Sequence, residues 1–417
     1  MRTKTFPERG RLWPELEQTL IAERTKDTPW RKGLGALYWP DPGGNVRLVA
    51  KAASDLMFES FMLGARYGEP SARLVENDVC AMVQDILEAP EGAATTLTAG
   101  GTESNFHAVK TARDWARKTR PGATDPEILL PYTAHPSFDK AAHICGLRTV
   151  RVPTRADFRA DVAAMARRVN ANTVMIVGSA PSYSHGVVDD ITDIAALARE
   201  HGLWCHVDSC VGGFLIPFLK RLGHPVRNFD FSVPGVRSVS ADLHKFGLVL
   251  PHGISSFTLS EAADLAFQGF DFANWPYGRY AVTTFAGSRS GHVIAAAWAT
   301  MRHLGLDGYL KRAEAIVRLG RLLAEGIGRI AGLRVLAPTE AGIFVFTGDG
   351  LDIPALASAL EARGYPSSWC KEPPALHLLM YPVEDETIVE EYLVAVAESV
   401  AELRAGMRRG QGRSGYA

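Results

Sequence analysis

Short apolar runs alternate with stretches of helical periodicity along most of the chain. The spacing predicts a helix over Arg73–Leu87, a strand over Thr95–Thr98, a helix over Ser104–Arg117 and a strand over Thr173–Val177. It continues with a helix over Ile191–His201 and strands over Trp204–Val207 and Ser238–Ser240. Strands that alternate with helices build a mostly parallel sheet covered on both faces, so the pattern predicts an α/β unit. From near Asp307 to about Ile330, Leu, Ala and Ile recur at helical spacing. Beyond it, strands over Gly342–Thr347 and Ala375–Tyr381 and helices over Ile353–Arg363 and Asp385–Leu403 predict a smaller α+β domain. The expected organisation is an N-terminal arm over 1–60 with a turn at Pro40–Gly44, a large domain over 61–310, a small C-terminal domain over 311–403 and a flexible, basic, Gly-containing tail over 404–417.

A chain of 417 residues is long enough to bury a large core in more than one domain. Its formal net charge of −1 removes any global electrostatic argument for nucleic acid or an anionic membrane as partner. The first residues are charged with no apolar segment behind them, and no apolar run approaches the roughly 18 residues of a membrane helix. A soluble, cytoplasmic protein is expected. The five cysteines, Cys80, Cys145, Cys205, Cys210 and Cys370, have no paired metal spacing, so neither a metal centre nor a disulfide framework is expected.

Four places carry candidate chemistry. Thr98–Asn105 is a glycine-rich turn between a strand and a helix, and the exposed amides of such a turn, with Gly100 and Gly101 allowing close approach and Thr102 and Ser104 adding hydroxyls, suit a phosphate monoester. His135 lies on a loop where an imidazole can lie flat against a planar ring. Asp208 ends an apolar strand, at the edge where ligands gather in open α/β sheets, and a carboxylate there calls for a cationic partner such as a protonated pyridine nitrogen. Lys245 follows a short strand and is flanked by His244 and Phe246, a setting in which an amine forms a Schiff base. Taken singly, these are a helix cap, a surface histidine, a turn-capping aspartate and a solvated lysine. Together they stand in order at the carboxyl ends of the expected strands.

These motifs, with Phe138–Ala142, Asn172–Pro181, His206–Phe214, Phe229–Gly235, Ser240–Lys245, Ala286–Arg289 and Ala297–Met301, make the sequence similar to the pyridoxal-phosphate group II decarboxylases, and within them to the sphingosine-1-phosphate lyases, over about residues 90 to 312. The resemblance implies a type I, aspartate aminotransferase-like fold with a mostly parallel seven-stranded sheet, pyridoxal 5′-phosphate as cofactor, and a homodimer with its sites at the interface. It implies that Gly101, Thr102 and His244 hold the phosphate, that His135 stacks on the ring, that Asp208 pairs with its nitrogen and that Lys245 carries the Schiff base. By the same resemblance Gly287 and Ser288 reach the partner's cofactor phosphate, and Tyr38 points into the substrate pocket.

Two segments depart from the lyases. Met62–Ala65 replaces Asn-Pro-Leu-His, and Leu250–Gly253 replaces Pro-Lys-Gly, with His252 in place of a lysine. New handles for a substrate lie at Arg66, Tyr67, Arg279, Tyr280 and His252, and an arginine suits a carboxylate, sulfonate or phosphonate. The expected reaction is carbon–carbon cleavage of a small amine in retro-aldol fashion, with His252 as base, its unperturbed pKa of about 6.5 suiting proton transfer near neutrality. The alternative reactions are α-amino-acid decarboxylation, transamination or another chemistry at the β-carbon.

Overall fold

The computed structural model describes residues 9–34, 45–64 and 67–406. The turn expected at 40–44, Tyr38, Arg66, the side chain of Tyr67 and the end of the tail lie outside the described residues. The core is a seven-stranded sheet. In chain order its strands are β1 (Ala94–Thr98), β2 (Glu127–Pro131), β3 (Arg148–Val152), β4 (Thr173–Ser179), β5 (Trp204–Asp208), β6 (Ser238–Ala241) and β7 (Ser255–Leu259). Their spatial order is β1-β7-β6-β5-β4-β2-β3. All pairs are parallel except those of β7, which runs antiparallel to both β1 and β6. Every residue of β4 and β5 is buried, as central strands covered on both faces must be. The edge strand β3 instead carries an exposed Arg148, a charge that blunts an edge against further pairing.

Helix α1 (Gly101–Thr119) leaves β1 and packs on the sheet. Its buried face is polar at the start, with Ser104, Asn105 and His107, and apolar further on, with Ala108, Val109, Ala112 and Ala116. The first turn therefore serves the site and the remaining turns serve the core. Beneath them, Phe138 and Trp204 are fully buried, each such side chain contributing on the order of 2–3 kcal/mol. Helix α2 (Ser137–Cys145) follows β2 and packs against α1.

The long helix α3 (Gly291–Arg329) begins well before the expected start near Asp307. Gly305, at φ 58 and ψ −172, interrupts it, and this left-handed residue marks where the helical periodicity of the sequence resets. Past α3, a four-stranded antiparallel sheet places Ile343–Gly348 between Leu333–Val335 and Pro374–Leu379, with Ser368–Lys371 at the far edge. A hairpin, Phe270–Trp275 with Gly278–Val282, projects its aromatic rings outward. Phe61–Leu63 pairs with Ser288–Ser290, so within the departing segment Met62 lies opposite Arg289 and Leu63 opposite Ser288.

Candidate active site

The carboxyl ends of β1, β4, β5 and β6 and the start of β7 meet along one edge, because β7 enters the sheet from the opposite direction. A cavity of about 720 Å³ opens there. Gly101 and Thr102 at the start of α1, His135, Asp208, His244 and Lys245 all line it. The structure thus brings together six of the ten expected site residues. His252 is exposed outside that wall, its ring centroid 5.7 Å from that of His244. Gly287 and Ser288 are also absent from the wall, and Arg279 pairs with Asp271 on the exposed hairpin.

Lys245 Nζ stands 3.1 Å from Asp242 Oδ2, and His244 Nε2 stands 3.6 Å from the same oxygen. Burial works against the Asp242 carboxylate, yet the adjacent Lys245 and His244 charges outweigh it and hold its pKa below the usual value. Asp242 is thereby an anionic anchor beneath the amine. Tyr183 forms another part of the wall, with Lys245 Nζ 5.8 Å from its ring centroid. Asp208 accepts from the Asn105 side-chain amide at 3.1 Å and from the backbone N–H of Cys210 at 3.1 Å. His135 is turned by Ser137, whose Oγ lies 2.9 Å from its Nδ1, and burial pushes its pKa down. Asn105, Asp242 and Tyr183 were given no role from the sequence. A polar residue on the face that α1 turns to the sheet is the one signal that could have singled out Asn105.

The donor set fits an aldehyde-bearing pyridine phosphate. The first amides of a helix have no intrahelical partner and attract an anion. At Gly101 the fit is close: a Cβ there would lie 2.7 Å from Cys210 Sγ and 2.8 Å from Asp242 Oδ1, so only glycine leaves room. The amine and the Asp208 carboxylate add the groups that an aldehyde and a ring nitrogen need, and Ser179 Oγ in the same wall is buried with no hydrogen-bond partner. A second cavity of about 700 Å³ shares His135 and Tyr183 with the first and extends to Trp369 and His377 of the C-terminal sheet.

Behind Asp208, His206 is wholly buried, and burial holds its imidazole down at about 4 despite the nearby carboxylate. His185 is likewise held at about 4 by burial, with His377 adding to the effect. Both are folded in the neutral form, whereas an unfolded histidine takes its proton near pH 6.5. Their contribution to stability is complete above that pH and drains away as pH falls towards 4. Urea unfolding of the holoenzyme is therefore expected to show a loss on the order of 1 kcal/mol per pH unit per group between pH 6.5 and 4.5. Equal stability at both ends of that range would contradict it.

The pattern described as the pyridoxal-dependent decarboxylase conserved domain matches residues 50–347. The sphingosine-1-phosphate lyase of Arabidopsis thaliana is 34% identical, over 97% of this chain and 75% of its own length. A probable L-tyrosine/L-aspartate decarboxylase of Methanothermobacter thermautotrophicus is 32% identical, over 82% of this chain and 92% of its own. Among solved structures, a sphingosine-1-phosphate lyase of Burkholderia pseudomallei superposes with a TM-score of 0.89 at 33% identity, covering 97% of this chain and 95% of its own. The glutamate decarboxylase of Lactobacillus brevis, at 18% identity and a TM-score of 0.83 over 97% of this chain and 96% of its own, shares the fold.

Proposed function

Because the chain belongs to the pyridoxal-dependent decarboxylase family and is a pyridoxal-phosphate-dependent lyase of type I fold, we propose that it opens the carbon–carbon bond beside the amine of a small amino alcohol and releases an aldehyde. The observation that carries this reading is the single cavity in which Lys245, Asp208, His135 and the start of α1 converge. When bound, pyridoxal phosphate supplies an electron-poor ring that takes up the electron pair of the broken bond. Gly101, Thr102 and His244 would hold its phosphate, His135 would lie against its ring, Asp208 would accept from its ring nitrogen, and Lys245 would hold it covalently.

The chain's own groups then do the remaining work. Asp242, 3.1 Å from Nζ, keeps the Lys245 amine inside the wall. Lys245 is thus the group placed to return a proton to the reacting carbon. His252, at the mouth, meets a substrate hydroxyl that points outward, and there it would take that proton. The substituent on the far side of His135 and Tyr183 has the second cavity as its space. In this reading 61–310 carries the cofactor, 311–403 covers it, and 1–60 is an arm.

A homodimer is part of the proposal. It is supported by the position of Gly287 and Ser288 outside their own chain's cavity and by exposed rings nearby, among them Tyr277 at 77% and Phe285 at 70%. So is a cytoplasmic setting, supported by five free cysteines; no helix among the described residues is long and apolar enough to cross a membrane. Decarboxylation of an α-amino acid is the second reading, favoured by the likeness to the Methanothermobacter protein, and it uses the same residues.

The two readings separate on products. Incubated with panels of amino alcohols and amino acids, the holoenzyme is expected to release an aldehyde from one of the former. Carbon dioxide from an amino acid, with no aldehyde from any alcohol, would replace the first reading by the second. Borohydride reduction followed by peptide mapping is expected to find the cofactor on Lys245, and a label elsewhere would remove that residue from its role.

A further inference from the structure

Asn105 sits where α1 meets β5 and β6, 1% exposed, and every polar atom of its side chain is engaged. Its Nδ2 lies 3.1 Å from Asp208 Oδ2 and 2.9 Å from Ser137 Oγ. Its Oδ1 lies 2.8 Å from Ser240 Oγ and 3.4 Å from His206 Nε2. We infer that Asn105 is a positioning residue, which through its one amide fixes Asp208 as a proton acceptor and, by way of Ser137 Oγ, reinforces the tautomer of His135. The inference rests on the proposed function, in which those two residues face the ring nitrogen and the ring.

The direction of each hydrogen bond follows from the one before it. A carboxylate only accepts, so Nδ2 faces Asp208 and Oδ1 faces the other way. An amide oxygen also only accepts, so Ser240 Oγ donates its one hydrogen to Oδ1. Ser240 then has none left for His206 Nε2, 3.2 Å away, and that nitrogen must be the donor. Burial keeps His206 neutral, so its Nδ1 carries a lone pair and Ser238 Oγ donates to it at 2.9 Å. Ser238 can now only accept, and what it meets, at 2.9 Å, is the indole N–H of Trp204, which can only donate. The polarity closes without a conflict.

The second hydrogen on Nδ2 sets the other branch. Ser137 Oγ accepts it and passes its own hydrogen to His135 Nδ1 at 2.9 Å, where the backbone N–H of Ser137 also points, at 3.2 Å. Nδ1 is therefore an acceptor, and neutral His135 carries its hydrogen on Nε2. A residue of the same shape without the amide would leave Asp208 without one of the two donors described above and leave the backbone N–H of Ser137 as the group that still holds the His135 tautomer.

Four forms of the holoenzyme test this: wild type, Asn105→Leu, Ser240→Ala and Asp208→Asn. The readouts are the cofactor dissociation constant, the pH dependence of the cofactor's absorption band, and kcat and KM on one substrate. Losing a hydrogen bond to a charged group corresponds to about a 10- to 100-fold effect. Asn105→Leu is expected to weaken cofactor binding by that factor, to move the band's pH midpoint in the same direction as Asp208→Asn, and to lower kcat with little change in KM. Ser240→Ala, which leaves Asn105 in place and removes the nearer of the two donors to its Oδ1, is expected to move the midpoint in the same direction by less, and it decides the matter should Asn105→Leu not fold. An unchanged band in the folded Asn105→Leu form, or in Ser240→Ala where it alone is folded, beside a shifted band in Asp208→Asn, overturns the inference and leaves the proposed function standing. An unchanged band in Asp208→Asn overturns the assignment of Asp208 itself, and the inference with it.

Discussion

Alanine at position 245 is expected to lower kcat by at least about 10⁴-fold, the upper end of what a positioned acid–base group contributes, since the same amine also anchors the cofactor. Truncation also leaves the Asp242 carboxylate, 2% exposed, without the ammonium group that stood 3.1 Å from its Oδ2. A lower melting temperature should therefore accompany the kinetic loss, because breaking one side of a buried ion pair is costly. Single-turnover measurement with saturating cofactor checks the first effect and thermal unfolding the second. Residual turnover within tenfold of wild type would show that Lys245 takes no part in the reaction.

Asparagine at position 208 is expected to lower kcat by about 10³-fold, comparable to removing one preorganised electrostatic partner from an active site. The change is nearly isosteric, so the effect comes from charge and hydrogen-bond polarity and not from shape. An amide also brings an NH₂ group where Asn105 Nδ2 and the Cys210 N–H both donate, each at 3.1 Å, so at least one donor must turn away. The cofactor's absorption spectrum reports the altered ring environment directly, and turnover reports its consequence. A variant with wild-type spectrum and rate would mean that no cationic group of the cofactor faces this carboxylate.

The sequence located the central strands β4, β5 and β6 to within a residue or two because their apolar runs are short and bounded by turns. Periodicity sets no bounds for β2, which is implied only as the strand before His135, nor for β3 and β7, for three different reasons. β2 opens on Glu127, whose buried carboxylate is paired with Arg148 across the ladder, a contact invisible in either segment alone. β3 holds two arginines in five residues, as an edge strand can. β7 reads Ser-Ser-Phe-Thr-Leu, and its buried hydroxyls find partners on the neighbouring strands, Ser255 and Ser256 donating to the carbonyl of Ala241 and Thr258 pairing with Thr95. Periodicity cannot anticipate a partner that distant residues supply.

The same distinction runs through the site. Gly101, His135, Asp208 and Lys245 were legible because each occupies a recognisable position at the end of a strand or the start of a helix. Asn105 and Asp242 stood inside the same motifs and carried no such mark. What gives them meaning is enclosure: Asn105 meets β5 and β6, from which it is separated by most of the large sheet's sequence. His252 shows the converse, since it stands on the same loop as Lys245 in sequence and yet ends exposed outside the cavity wall.

The reversal of β7 has one more effect. Because β6 and β7 are adjacent and antiparallel, with Ala241 opposite Ser256, residues 242–254 leave the sheet and return to it at neighbouring points only about 4.8 Å apart. The excursion is braced across its width by His244 N–H to the Ile254 carbonyl, by Val249 N–H to the Leu243 carbonyl and by the Tyr309 hydroxyl to the Gly247 carbonyl. Lys245 is mounted on a closed loop of main chain whose two feet stand on the same rigid floor. Its amine travels only as far as the torsions of its own methylene chain allow, so under the proposed role successive proton deliveries would start from nearly the same point.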